Sequence, residues 1–312
     1  MNQPAVITPP KKAAALPNVF RRMLENPVIL KELRGRMRGR RSFIALTLYL
    51  TLISLFIGSI YALLATQGGA ASYDPSFRQN IGKIIFSSVV LFEFLMISFI
   101  GPSLTAGAIT SERERRTFDL LRTTLLSARA LVFGKLGSAC MYLLLLVFTA
   151  MPIEALAFLL GGVGVEEIVI SSIMLVVNIL FFCTLGLFCS SFTKRTLTAN
   201  VTSYALILLS VLALGMAYFV LAMAASRLNN SYSPATEDFI TFITWTLTAT
   251  NSFSAAIVSE VLLISNQTIF FGKAPSGNIS IISPWVLHVA LYLTLTAIMF
   301  VLSILFVKRP DR

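Results

Sequence analysis

Six stretches of the chain, at roughly 43–66, 84–109, 131–160, 168–192, 197–225 and 285–307, are apolar over lengths that match a bilayer. A helix needs about 20 residues to cross a hydrocarbon core of roughly 30 Å. Each run reaches that length, and the third is long enough to begin before the membrane. Unpaired backbone groups are not tolerated in lipid, and the alternation expected of barrel strands is absent, so the runs are expected to be helices. The chain is therefore expected to be an all-α polytopic membrane protein with six transmembrane helices.

The 25 Lys and Arg residues orient it. Twenty-one fall in four places: residues 11–41, the loop after the second run, Lys194 and Arg195 after the fourth, and Lys308, Arg309 and Arg312 after the sixth. Only Arg78, Lys83, Arg227 and Lys273 fall in the alternate connections. By the positive-inside rule both termini are expected in the cytoplasm, and the even number of spans agrees. Trp245 and Trp285 then fall on the outer side, where indole rings favour the interface. The first run starts after residue 42 and is longer than a signal-peptide core, so it reads as an uncleaved anchor in a plasma or inner membrane.

With 12% charged and 56% hydrophobic residues, no polar stretch is long enough for a soluble domain. Soluble domains carry about 25% charged residues. The net charge of +11 sits in clusters flanking apolar runs, without interleaved aromatics, which argues for lipid headgroups and against nucleic acid. Cys140, Cys183 and Cys189 lie inside apolar runs with neither disulfide nor zinc spacing. The lone His288 reads as a residue at a membrane interface and excludes a multi-histidine metal site.

Two inner segments have structure of their own. After a basic tail at 1–26, Asn26 is a good N-cap and Pro27 a good first helical residue. Ile29, Leu33 and Met37 recur at helical spacing beside Leu30, leaving Lys31, Arg34, Arg38 and Arg41 toward solvent. This predicts an amphipathic helix over 27–41 along the inner leaflet; a basic flank without fixed structure is the alternative. The loop from Ile109 to Ala130 mixes both charge signs. Ser111 followed by Glu114 is a capping-box pattern, and Phe118, Leu121 and Leu125 share a helix face beside Leu120. A short helix with charge and an apolar ridge suits docking to a soluble partner. On the outer side, the apolar but Thr- and Ser-rich stretch 236–263 is expected to form one or two helices that dip into or lie on the leaflet. Lys273 to Asn278 reads as a loop.

These features resemble the ABC type-2 permease family, the membrane subunits of a class of ATP-binding cassette exporters. Asn26-Pro27-Val28-Ile29-Leu30-Lys31-Glu32-Leu33-Arg34 looks like the opening of many such permeases. Ile109 to Thr117, continuing through Gly134-Lys135, is similar to the family's signature between its second and third spans; Thr117, Thr124, Ser127, Gly134 and Lys135 keep their places. Arg116 stands where the family usually has Gly, and Leu125 where Pro is common. The resemblance implies that 27–41 is an elbow helix and that 111–126 contains a coupling helix fitting a groove on a separate cytoplasmic ATPase. It further implies an assembly of two ATPases with two permeases, identical or related. In that reading Phe118 and Leu121 supply an apolar grip, and Glu112, Glu114, Arg115 and Thr117 polar contacts. ATP would bind the partner, and this chain would carry no cofactor.

No Walker A sequence is present: Gly82-Lys83, Gly134-Lys135 and Gly272-Lys273 lack the upstream Gly and the following Ser or Thr. No Ser-His-Asp order or HExxH is found, so the chain is not expected to be an enzyme. Glu93 lies near the middle of the second span, where a charged carboxylate costs about 2.5–3.5 kcal/mol on insertion scales. It reads either as part of a substrate path or as a neutral or hydrogen-bonded structural group. Asn178, and Asn200 with Ser203 and Tyr204, could line the same path or tie helices together. Glu154, Glu166 and Glu167 read as solvated loop carboxylates, and Ser54, Gly58 and Ala62 as a close-packing face. Two other functions remain open: an ion-coupled carrier using Glu93, against which no inverted repeat or pair of broken spans is seen, and a non-transporting membrane scaffold.

Overall fold

The computed structural model of the protein describes residues 27–37, 39–68, 75–118, 127–228, 234–264, 270–273 and 280–308. Its elements are α1 (Pro27–Met37), α2 (Arg40–Gly68), α3 (Pro75–Thr105), α4 (Thr110–Glu114), α5 (Ala128–Leu160), α6 (Val165–Phe192), α7 (Thr196–Leu228), α8 (Pro234–Thr250) and α9 (Ser252–Ile264). A two-stranded antiparallel ribbon, β1 (Phe271–Lys273) and β2 (Ser280–Ile282), leads into α10 (Pro284–Lys308). Among the described residues six helices are long and apolar enough to cross a membrane: α2, α3, α5, α6, α7 and α10. The stretch expected on the outer side forms α8 and α9, of 17 and 13 residues, each shorter than the roughly 20 residues of a membrane span.

Helix α6 is the centre. The most apolar stretch of α6 is 61% buried within the chain and that of α3 50%, against 11% for α2 and for α10. All four are apolar on every side, so hydropathy alone cannot rank them. Lipid solvates an apolar side chain as well as another helix does, and close packing with interhelical hydrogen bonds decides which helix sits inside. Helix α6 presents Gly186 to α3, where an added Cβ would run into Thr105 and Pro102. It also packs on α5, α7, α9 and α10. At one end of the bundle the α5–α6 turn needs Gly162: its φ is +89°, and a Cβ there would strike the backbone of Gln79.

Several expectations need correction. Helix α1 stops at Met37, because Gly39 adopts φ +123° and Arg40 opens α2. Its stripe is shorter than predicted: Ile29 is buried against Gly137, Leu33 is half-buried and Met37 is exposed. Lys273, the first residue of the expected loop, is instead the last residue of strand β1, paired with Ser280 of β2; residues 274–278 lie outside the described residues. Glu154 is no solvated carboxylate. It lies in the interior of α5, 6% exposed. His288, five residues into α10, is fully enclosed within the chain, between Asn178 of α6 and the Ala249 carbonyl of α8. The face formed by Ser54, Gly58 and Ala62 is exposed, and a Cβ on Gly58 would meet nothing within 4 Å.

Candidate functional site

Polar side chains of α1, of the segment joining α3 to α5 and of the turn between α6 and α7 gather at one end of the bundle, around α4. Helix α3 ends at Thr105, and a turn over 106–109 leads into α4. The capping box predicted from Ser111 and Glu114 does not form. Ser111 lies inside the helix and its hydroxyl donates to the Gly107 carbonyl. The cap comes from α6: Ser190 Oγ accepts the amides of Ile109 at 2.9 Å and Thr110 at 3.1 Å. A helix start leaves such amides without intrahelical partners, and a hydroxyl from another helix satisfies them as well as a local one.

Glu112 and Glu114 bind different helices. Lys135 of α5 is buried and places its Nζ 2.6 Å from Glu112 Oε1 and 3.5 Å from Glu32 Oε1 of α1. Arg36, on the same helix as Glu32, donates to the Leu104 carbonyl at 3.0 Å. Glu114 turns the other way and caps α7. Its carboxylate accepts the Thr196 amide at 2.8 Å and the Thr196 hydroxyl at 3.0 Å. Those donors favour the ionised carboxylate, and its charge complements the positive N-terminal end of the α7 dipole. Arg113 donates to the Thr193 carbonyl at 2.8 Å and lies 5.1 Å over the Phe118 ring.

Phe118 is consequently 3% exposed and belongs to the chain's own core, so its ring is not an outward apolar grip. The outward face consists of Glu114, Arg115, Arg116 and Thr117. Leu121, the other residue of the expected ridge, lies outside the described residues, as does Leu125. Arg116 has φ +56°, the left-handed region, and is the sole non-glycine with positive φ among the described residues. This conformation costs an L-residue roughly 1–2 kcal/mol and a glycine almost nothing. It fits the glycine that the resemblance leads one to expect at this position.

The three residues expected to line a path lie in three places. Glu93 sits between α2, α3 and α5, with Tyr49 donating to its Oε1 at 3.2 Å. Asn178 is fully buried among α6, α9 and α10. Its Nδ2 donates to the Met174 carbonyl at 2.8 Å and faces His288 Nε2 at 3.2 Å, and its Oδ1 accepts from Ser252 at 2.6 Å. The Met174 carbonyl pins the amide, so Nε2 must accept. His288 Nδ1 then carries the proton that goes to the Ala249 carbonyl at 2.9 Å. Every polar atom here has a partner inside the protein, the arrangement of helix-tying groups. Asn200 lines a separate apolar groove of about 590 Å³ between α3 and α7, with Leu95, Phe99 and Tyr204.

Local sequence gave no signal for Ser190, Thr193 or Thr196, which act on residues about 80 positions away. Glu32 and Lys135 stood in the two quoted motifs, but only folding brings those motifs to a common ion pair. A family model described as ABC-2 family transporter protein matches residues 27–312. No curated protein matches the chain.

Proposed function

This chain belongs to the ABC-2 transporter family, and from that premise we propose that it is the permease of an exporter driven by a separate cytoplasmic ATPase that docks on residues 111–126. ABC-2 chains are the membrane components of their transporters. The observation that carries the docking reading is the convergence around α4. Through Lys135, Glu32, Ser190, Thr193 and Thr196, this five-residue helix holds α5, α1, the end of α6 and the start of α7.

A push there moves several helices together. ATP-driven closure of a pair of ATPases is transmitted through these polar contacts as a rigid-body tilt, and a second permease, identical or related, completes the pathway. Glu112 serves inside the chain as the Lys135 partner. Arg115, Thr117 and Glu114, which are exposed, and Leu121 are left to meet the partner. Both termini and α4 lie on the cytoplasmic side in this reading, as the distribution of Lys and Arg requires.

The test is assembly. An Arg115→Glu, Thr117→Asp double variant should purify as a folded membrane chain and lose the P-loop ATPase that accompanies the wild type in mild detergent. Unchanged association and unchanged coupled ATP turnover refute docking at this surface. A cysteine at Thr117, in a background without Cys140, Cys183 and Cys189, should react with an impermeant thiol reagent only from the cytoplasmic side. Labelling from outside overturns the orientation.

A further inference from the structure

A second polar cluster lies away from α4. Glu93 on α3 is completely enclosed and Glu154 on α5 is 6% exposed. Tyr49 on α2 donates to Glu93 Oε1. The other oxygen of Glu93, Oε2, and the Oε1 of Glu154 are both buried and lack a hydrogen-bond donor. The two carboxyl groups are within hydrogen-bonding reach of each other. The titratable groups facing Glu93 are Tyr49 from α2 and Glu154 from α5. Among the described residues α6, α7 and α9, which also pack on α3, bring no cation to an ion pair with it.

Two facing carboxylates with no cation cannot both ionise in a low-dielectric interior. A proton between the two orphan oxygens supplies both missing partners and removes one of the like charges. Tyr49 then donates to the charge that remains. A metal ion fits less well. Among the described residues no group of three or more His, Cys, Asp or Glu side chains could hold one, and a hard cation takes about six to eight oxygen ligands.

We infer that Glu93 and Glu154 form a proton-binding site in the membrane, an acid pair holding one proton between two carboxyl groups on α3 and α5. These helices flank the segment 106–127, so any motion that parts them at this level also separates the two halves of the site. The site itself does not depend on how or whether an ATPase docks.

The experiment is infrared difference spectroscopy on the full chain in lipid bilayers at neutral pH. The wild type should show a carboxylic-acid C=O band above the amide I region, shifted slightly in D₂O. The band should vanish in Glu93→Gln, Glu154→Gln, where an amide replaces the acid. Absence of the band in the wild type, or its persistence in the double variant, overturns the proposal. Should the double variant not fold, uniform ¹³C-glutamate labelling of the wild type must shift the band, and an unshifted band overturns the assignment. Replacing choline chloride by sodium, potassium, magnesium or calcium chloride should leave the band in place. Its conversion to carboxylate bands by any one of these marks a cation site and sinks the proton reading.

Discussion

Lys135 and Glu112 form an ion pair at 2.6 Å, with the lysine side chain 5% exposed and the glutamate 21%. It fastens the start of α5 to α4 and, through the longer contact to Glu32, to α1. The two sequence segments that carry the family resemblance thus meet at one ammonium group.

Removing one member of a buried pair leaves the other charge uncompensated, which costs about 3–5 kcal/mol in a full interior. Glu112 retains some solvent, so Lys135→Ala should destabilise the chain by about 2–4 kcal/mol. Glu112→Gln in that background should recover part of the loss. Thermal unfolding of the single and double variants measures the coupling, and strictly additive effects would show that the contact contributes nothing.

Glu114 accepts from both the amide and the hydroxyl of Thr196, so its removal should fray the first turn of α7. Hydrogen exchange at residues 197–199 should quicken in Glu114→Ala and change less in Glu114→Gln, whose amide oxygen still accepts. Identical protection in all three proteins argues against the cap.

Arg116 occupies the left-handed region. Arg116→Gly should hold or raise stability, by up to about 1 kcal/mol, because relief of strain exceeds the added freedom of the unfolded chain. Arg116→Val should lower it by about 1–2 kcal/mol, since a branched Cβ is poorly tolerated at this φ. Equal stability of the two variants would contradict the backbone assignment.

Asn178 makes two hydrogen bonds to other helices, to His288 and Ser252. Interhelical hydrogen bonds in membranes average about 0.6 kcal/mol each, so Asn178→Ala should cost about 1–2 kcal/mol. Transport rates measured at equal amounts of folded protein should stay near wild type. A large fall in rate with unchanged stability would instead put Asn178 on the substrate path.

The number of spans, the all-α class and the family were legible because lipid imposes a length and a polarity that one dimension records. The same uniformity hid the rest. When every face of a helix is apolar, periodicity cannot say which face is buried, and so Glu154 passed for a loop carboxylate and the enclosure of His288 left no trace. Ser111 and Glu114 carried a local capping pattern, yet each took a different partner in the fold.

What the sequence determined by itself was that the chain crosses a membrane about six times, since a backbone in hydrocarbon has no other way to satisfy its hydrogen bonds than as long apolar helices. What only the tertiary structure decided was the pairing of its few polar groups. Ser190 reaches α4, Glu114 reaches α7, and Glu93 meets Glu154. These contacts join residues some 60 to 80 positions apart, and a polar side chain in a dry interior takes whichever partner the packed helices bring to it.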